Sequence, residues 1–530
     1  MSVGRSYHRS TVGDSWDVIV VGSGIGGLAA AGLLARAGRR VLVLERHTTA
    51  GGATQTFKRS GYEWDAGLHY IGQVHSPAST LRRVFDYITD GKLAWEPMAD
   101  VYNRIIVGDR EYEYPSGQKA FTDRMKKYFP DEAAAIDRYT ELVTEANRTS
   151  RSFFAHRALP RELAEGLYAD MCEPFRAFSD RTVSEVLSEL TDNSELKTVL
   201  CGHCGDYSLN PARASFAIHA MLIRHYIHGA SYPIGGSGRL AETITDVIRA
   251  AGGEVLISAD VDAVELDEAG QACGVTMADG RRFGAPAVIS DAGAHNTLTR
   301  LLPSESADAG LIESCRSVGP SLPWVVLNIG IRASGDDLDL PRGNIWIHHG
   351  PDIDNAVTAY ESDPTNRPMP LYFLTFPSVK DPSWLQRHPG RTTVDIAGVT
   401  SWKLFEQYAE TAWMRRGAAY EDLKAQLTDE LLQQLLRVCP QLEGRIDHLE
   451  LATPLSFNHF LNRQYGDFMS LAATPQRFAL RNLSAHTAIP NLYLSGQDVV
   501  AAGVVGALTG GAVAASAVLG RDVFADLPTE

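Results

Sequence analysis

Cysteine is scarce, with six residues in 530, too few for a disulfide framework in a chain this long. Basic residues are also in deficit: 49 Lys and Arg stand against 64 Asp and Glu, a formal net charge of −15. That balance argues against a nucleic-acid partner and against strong electrostatic attraction to anionic lipid. The first fifteen residues, MSVGRSYHRSTVGDS, lack the apolar core of a secretory signal, so a loose tail and a cytoplasmic protein are expected. There is no H-E-x-x-H, no Ser-His-Asp order and no second C-x-x-C, and no metal is expected. Cys201-Gly202-His203-Cys204 does spell C-x-x-C, but no apolar strand leads into it. Two ordinary buried or loop thiols are the expectation. With 44% hydrophobic and 21% charged residues the chain is globular, and its length calls for two or three domains around a large core.

What is present starts at Trp16. The run Val18-Ile19-Val20-Val21 reads as a buried parallel strand and is followed at once by Gly22-Ser23-Gly24-Ile25-Gly26-Gly27. In this G-x-G-x-x-G, Gly22 permits the tight turn and Gly24 lets backbone approach a pyrophosphate. Gly27 lets the next helix pack closely on the strand, with its N-terminus toward the phosphates. A second strand, Val41 to Leu44, ends at Glu45, about 20 positions on, where a carboxylate can accept ribose hydroxyls. Arg46 follows directly, and Gly51-Gly52-Ala53-Thr54 supplies a second glycine pair that meets the pyrophosphate from the other side. That doublet favours FAD over NAD.

This half resembles the FAD-dependent oxidoreductases of the phytoene desaturase and amine oxidase superfamily. The stretch Asp65-Ala66-Gly67-Leu68-His69-Tyr70-Ile71-Gly72 narrows the resemblance to the retinol saturase branch, with carotenoid isomerases beside it. The resemblance implies that Gly67, Leu68 and His69 cross near the flavin ring, and that His69 and Tyr70 stand nearest the reacting centre. The alternative for His69 is a hydrogen bond to neighbouring backbone.

From about Asp109 to Ala230 helical periodicity dominates, over Thr122 to Ser150 and Arg161 to Cys172, and a substrate cap is expected. His219 and His225 read as structural. Gly236, Gly238 and Ala241 formally match G-x-G-x-x-A, but only Tyr232-Pro233-Ile234 precedes them, so no second nucleotide is assigned. In the resembling family this P-x-G-G loop returns from the cap, Val261 offers its backbone to adenine, and Asp291-Ala292-Gly293 forms a small-residue loop near the cofactor. Runs at Trp324 to Ile331, Asn344 to His349, Leu371 to Phe376 and Thr392 to Val399 suggest an antiparallel sheet able to wall a long apolar slot. A helix over Tyr420 to Cys439 covers it. Thr453-Pro454 with Gln464-Tyr465-Gly466 resembles the family's last cap crossing.

The tail reads Ser495-Gly496-Gln497-Asp498, then an uncharged run from Val499 to Leu519. Its glycines and the strand-to-helix turn before it argue against a membrane span. The resemblance implies that Gly496 and Asp498 bind the cofactor, Asp498 at ribityl hydroxyls. It also implies a helix starting near Val504 and Val505 whose positive end faces the flavin's pyrimidine side.

The expected fold is α/β: a Rossmann-type FAD-binding domain of the amine oxidase kind, assembled from discontinuous segments, with a mixed-sheet and helical substrate-binding domain. The FAD-binding parts are 15–108, 231–300 and 486–530, the cap 109–230, and the substrate domain 301–485. The implied activity is saturation of a conjugated apolar polyene by hydride transfer from reduced flavin, with His69, Tyr70 or Tyr465 supplying the proton. Carotenoid isomerisation or desaturation, amine oxidation, and non-catalytic binding of prenylated proteins are the alternatives. An external electron donor and peripheral contact with a membrane surface are the expected partners beyond the polyene.

Overall fold

In the computed structural model, which describes residues 2–528, three distant stretches of chain build one six-stranded parallel sheet. Its order is Arg5–Ser6, Glu254–Ile257, Val41–Glu45, Val18–Val21, Val288–Ser290 and Leu492–Leu494. The inner strands are buried on both faces, which is why Val18–Val21 and Val41–Leu44 read as unbroken apolar runs, while the edge strand Arg5–Ser6 is polar and partly exposed. The opening helix, Ile25–Arg36, packs against the closing helix, Gly503–Leu519, so front and tail of the chain meet. The closing helix carries its glycines for that reason: a Cβ on Gly511 would strike the Gly26 carbonyl, and one on Gly510 the Gly496 carbonyl. Among the described residues no helix is long and apolar enough to cross a membrane.

The N-terminal segment is not a loose tail. Arg5–Ser6 extends the sheet at its edge, Tyr7 is buried, and its hydroxyl donates to Asp279 Oδ1 at 2.9 Å. Met1 of that segment, and residues 529–530 of the last one, lie outside the described residues.

A second, seven-stranded sheet has the order Ile446–Ala452, Trp324–Ile331, Thr392–Val399, Leu371–Thr375, Asn344–His348, Val101–Val107 and Arg110–Pro115. It is mixed, not wholly antiparallel: Asn344–His348 pairs in parallel with Val101–Val107. The stretch 15–108 therefore supplies strands to both sheets. Helix Ala418–Val438 covers one face of this sheet, packing Leu427, Leu431 and Leu435 against Val325, Leu327 and Ile329. The other face looks toward the helical cap.

In the cap, the periodic stretch 122–150 is two helices, Gln118–Tyr128 and Ala133–His156. The break falls at Phe129, which precedes Pro130 and is forced out of the helical region to φ −129, ψ 71. The next helix, Arg161–Ser179, runs past Pro174 and ends beyond the expected Cys172. His219 sits fully buried with Tyr139 Oη 2.8 Å from its Nε2, a satisfied core histidine.

Candidate active site

Two chambers meet near Gly67. The first, of about 450 Å³, forms where the front, middle and tail strands end. Gly22 adopts φ +98, open to glycine and costly for other residues, and turns the chain into the opening helix. A Cβ on Gly26 would lie 2.7 Å from Gly496 Cα, and one on Gly52 would lie 3.0 Å from Gly24 Cα. Front loop, glycine doublet and tail turn therefore close on one another with no room for side chains. Of the residues expected to hold a cofactor, Gly22, Gly24, Ile25, Gly26, Glu45, Arg46, Gly52, Ala53, Thr54, Gly67, Val261, Asp291, Ala292, Gly293, Gly496, Asp498 and Val504 line this chamber.

Gly27 and Gly51 do not. Gly27 is needed for packing, since its Cβ would strike the Gly22 carbonyl, and the Gly51 N–H donates to the Ser23 carbonyl at 3.1 Å. Leu68, His69 and Val505 face the second chamber. Glu45 is pre-set by donors: Oε2 accepts from Ser23 N at 2.9 Å and Ser23 Oγ at 2.6 Å, and Oε1 from His47 N at 2.7 Å. A carboxylate has about four lone-pair sites, so acceptor capacity remains. Asp498 ties tail to middle by accepting from Ala294 N at 2.9 Å. Burial pushes the Asp291 carboxyl, which lies beneath the glycine loop, up to about 7 against the pull of the Gly27 N–H.

The second chamber is a mostly apolar cavity of about 910 Å³. Its floor is the second sheet, where strand alternation sends Trp324 and Val326 to the cavity and Val325 and Leu327 to the covering helix. Trp346, Phe373 and Ala397 continue the floor, and Phe154, Met171, Ile218 and Leu222 of the cap form the roof. Gly67, Phe468, Met469, Gly503 and Val504 line both chambers. The N-terminus of the closing helix, starting at Gly503, thus points at the junction.

His69 and Tyr70 are brought to this cavity. Tyr465 is not: it is 52% exposed, lines neither chamber and sets its ring against Trp402. Burial holds His69 down at about 3, helped by the charge of Lys380, so the imidazole is neutral at pH 7. Its Nδ1 lies 3.8 Å from Asp395 Oδ2, too far for a hydrogen bond. Asp395 is a buried carboxyl with no hydrogen-bond partner among the described residues, and burial raises it well above the ordinary carboxylate range. Lys380, 1% exposed, donates to the His69 carbonyl at 3.1 Å and to Asn344 and Thr375. Burial lowers it to about 7. Tyr70 stacks on Tyr226 at 4.3 Å and donates its hydroxyl to Asp206. Lys380, Asp395 and Asp206 carry no local sequence signal.

Asp65 explains why two motifs far apart in sequence are needed together. Its buried carboxylate accepts from Ser237 N at 2.9 Å, Ser237 Oγ at 2.7 Å and the Tyr232 hydroxyl, pinning D-x-G to P-x-G-G. The strand before that loop, Ala230–Pro233, pairs antiparallel with Ile71–Gly72 and Trp95–Pro97, outside the parallel sheet. The glycines after it therefore shape this clasp. Asp65→Ala strands three buried donors, and we expect a loss of about 3 kcal/mol, read from the urea unfolding midpoint. A change under about 1 kcal/mol would remove Asp65 from this role.

A dinucleotide-type chamber opening at its mouth onto a large apolar cavity defines a cofactor-dependent oxidoreductase that encloses its substrate. The profile of the flavin containing amine oxidoreductases matches residues 25–307. All-trans-retinol 13,14-reductase of Macaca fascicularis is 37% identical over 99% of this chain and 88% of its own, and the Homo sapiens protein of that name matches equally. Prolycopene isomerase of Arabidopsis thaliana is 27% identical over 97% and 86%. Cyclohexylamine oxidase from Brevibacterium oxydans superposes with a TM-score of 0.59 at 17% identity, covering 96% of this chain and 100% of that one, a likeness of fold.

The chain belongs to the flavin containing amine oxidoreductase family, on the retinol reductase and prolycopene isomerase side of it. The residues present fit a flavin cofactor: glycines clear a backbone cradle that Cβ atoms would fill, Glu45 waits at its rim, and a helix N-terminus faces the junction where a ring would end.

Proposed function

We propose that this protein is an FAD-dependent oxidoreductase that saturates one double bond of an elongated, conjugated, retinoid- or carotenoid-like polyene. The observation that carries the reading is the cavity of about 910 Å³, floored by Trp324, Trp346 and Phe373, which begins at the dinucleotide chamber. Its volume and mostly apolar lining suit a polyene, and the 37% identity to retinol 13,14-reductases favours reduction over isomerisation.

In this reading Gly22, Gly24 and Gly26 cradle the pyrophosphate, Glu45 holds a ribose, Val261 meets the adenine and Asp498 the ribityl chain. When bound and reduced, the flavin supplies a hydride. The chain itself orients the polyene between the aromatic floor and the helical roof, excludes water, and brings His69 and Tyr70 beside the reacting bond. The cofactor domain is assembled from the stretches on either side of the cap, and an external donor provides the electrons.

The test is anaerobic reduction of the holoprotein with dithionite followed by all-trans-retinol. We expect flavin reoxidation and a product two hydrogens heavier. An isomeric product without net reoxidation would instead support an isomerase. Inert polyenes, with amines bleaching the oxidised flavin, would overturn the reading in favour of amine oxidation.

A further inference from the structure

Saturating a double bond consumes a hydride and a proton, and the cofactor accounts only for the first. The proton needs a donor whose acidity suits neutral pH and that reaches the cavity. His69 lines the cavity but is held neutral, and Tyr465 lies outside it. Tyr70 lines the cavity, but burial raises its hydroxyl well above the ordinary phenol range, so alone it is a weak acid.

We propose that Asp206 is the site's proton reservoir and acts through Tyr70, the two forming a relay that delivers the proton to the polyene. This rests on the reductase reading above. The geometry is direct: Tyr70 and Asp206 share a hydrogen bond, and both line the cavity. The Asp206 side chain retains 18% of its surface.

The surroundings keep this acid uncompensated. Tyr70 comes from the loop after the strand Tyr62–Asp65, Tyr102 from the strand Val101–Val107, Tyr226 from the helix Phe216–Tyr226, and Cys204 from the same short turn as Asp206. All of these are neutral at pH 7. The basic groups at hand are His203, Nδ1 3.8 Å away and held down at about 3 by burial, and Lys380, whose ammonium stands 5.9 Å from the centre of the Tyr70 ring and is lowered to about 7 by burial; neither donates a hydrogen bond to the Asp206 carboxyl. Burial pushes Asp206 up to about 7, so near neutrality a large share of it carries a proton.

The step balances as follows. The π bond of the polyene breaks; one carbon takes the cofactor's hydride, and the other forms a C–H bond to the proton of the Tyr70 hydroxyl. The Asp206 O–H proton replaces it on the phenol oxygen, leaving Asp206 as a carboxylate. A proton from bulk solvent restores the acid after the product leaves, through the part of the Asp206 side chain that stays accessible. Because the donor is the protonated carboxyl, the rate is high below about 7 and falls as pH rises through that value.

The experiment compares wild type, Asp206→Asn, Asp206→Glu and Tyr70→Phe holoproteins, reduced anaerobically and mixed with all-trans-retinol across pH 5.5–9 (a range of about 3.5 units around a neutral pKa). Wild-type reoxidation should fall with a midpoint near 7. Asp206→Asn and Tyr70→Phe should each slow it on the order of 100-fold and flatten the profile. Asp206→Glu should restore part of the rate with a displaced midpoint. Reoxidation by ferricyanide, which needs no proton delivered to carbon, should be unchanged in all four.

A readout independent of turnover is the infrared carbonyl band of a protonated carboxyl. Because the buried Asp291 and Asp395 carboxyls contribute to the same region, it is read as the wild-type minus Asp206→Asn difference, which should be present at pH 6 and fade as pH rises through about 7. A variant pair within about threefold of wild type with the same pH midpoint would overturn the relay while leaving the reductase reading intact. If only Asp206→Asn is misfolded, Tyr70→Phe decides, with the wild-type minus Asp206→Glu infrared difference in its place. A wild type that retinol does not reoxidise overturns both.

Discussion

A protein carrying Gly26→Val is expected to emerge from purification without its yellow colour. Gly26 lies at the first turn of the opening helix, where a Cβ would stand 2.7 Å from Gly496 Cα and 3.0 Å from the Ala507 carbonyl oxygen. Both neighbours are backbone, one in the tail turn and one in the closing helix, so neither can swing aside as a side chain would. Relief requires front and tail to separate, and that separation opens the cradle in which the pyrophosphate would lie. Overpacking of this kind costs about 1–3 kcal/mol in an ordinary core, equivalent to about fivefold to 150-fold in affinity. Here it is concentrated on the chamber itself. The measurement is the ratio of flavin absorbance to protein absorbance after gel filtration, followed by titration with added FAD. We expect occupancy below about a tenth of wild type, with restoration only at FAD concentrations about 100-fold higher. Gly166→Ala, in the helix Arg161–Ser179 at a glycine with helical backbone and open space around the added Cβ, provides the control for generic glycine effects. Full occupancy in Gly26→Val would mean that the front loop and tail turn are not the clasp.

The second large effect is expected from Ala397→Phe, which should abolish polyene turnover while sparing the flavin. Ala397 lies in the strand Thr392–Val399 and faces the cavity between the floor residues Val326 and Phe373, its partners on the two neighbouring strands. A benzyl group added there projects into the slot and occupies the path of an elongated chain. The dinucleotide chamber is untouched, because Ala397 is not part of its lining. Losing the contact of even a few buried methylenes costs about 0.8 kcal/mol each, so excluding a polyene segment should lower kcat/KM by at least about 100-fold. Steady-state turnover with all-trans-retinol measures this, and the visible flavin spectrum verifies that the cofactor remains. A short conjugated alkene that reaches only the junction should react within about tenfold of the wild-type rate. Equal losses for long and short substrates would mean that the floor of the second sheet does not define the binding slot.

These effects differ in how visible their causes are in the sequence. The dinucleotide cradle is written locally: a β-branched run, glycines at fixed offsets, an apolar helix and an acid at the end of the next strand, all between Val18 and Glu45. Each acts over a few residues of backbone, so spacing alone carries the meaning. The later pieces, Asp291-Ala292-Gly293 and Gly496 to Asp498, became readable through family likeness. The structure then brings them to the same chamber. The sheet floor was legible as four apolar runs. Its parallel edge with Val101–Val107 was not, because no local pattern states which distant strand completes a sheet.

The proton chemistry was legible least. His69 and Tyr70 were visible in a motif, yet their acidity depends on burial and on partners that lie far away along the chain. Asp206 is separated from Tyr70 by 136 positions, and nothing in its neighbourhood distinguishes it from any other aspartate. Tyr465 shows the converse, a residue in a suitable motif context that the fold leaves at the surface. The sequence by itself determined that the front of the chain turns from strand to helix through close-packed glycines of the dinucleotide-fold type, since those demands are steric and short-ranged. Only the tertiary structure decided which buried acid lines the cavity beside Tyr70, because desolvation and through-space contact arise when segments remote along the chain close around one cavity.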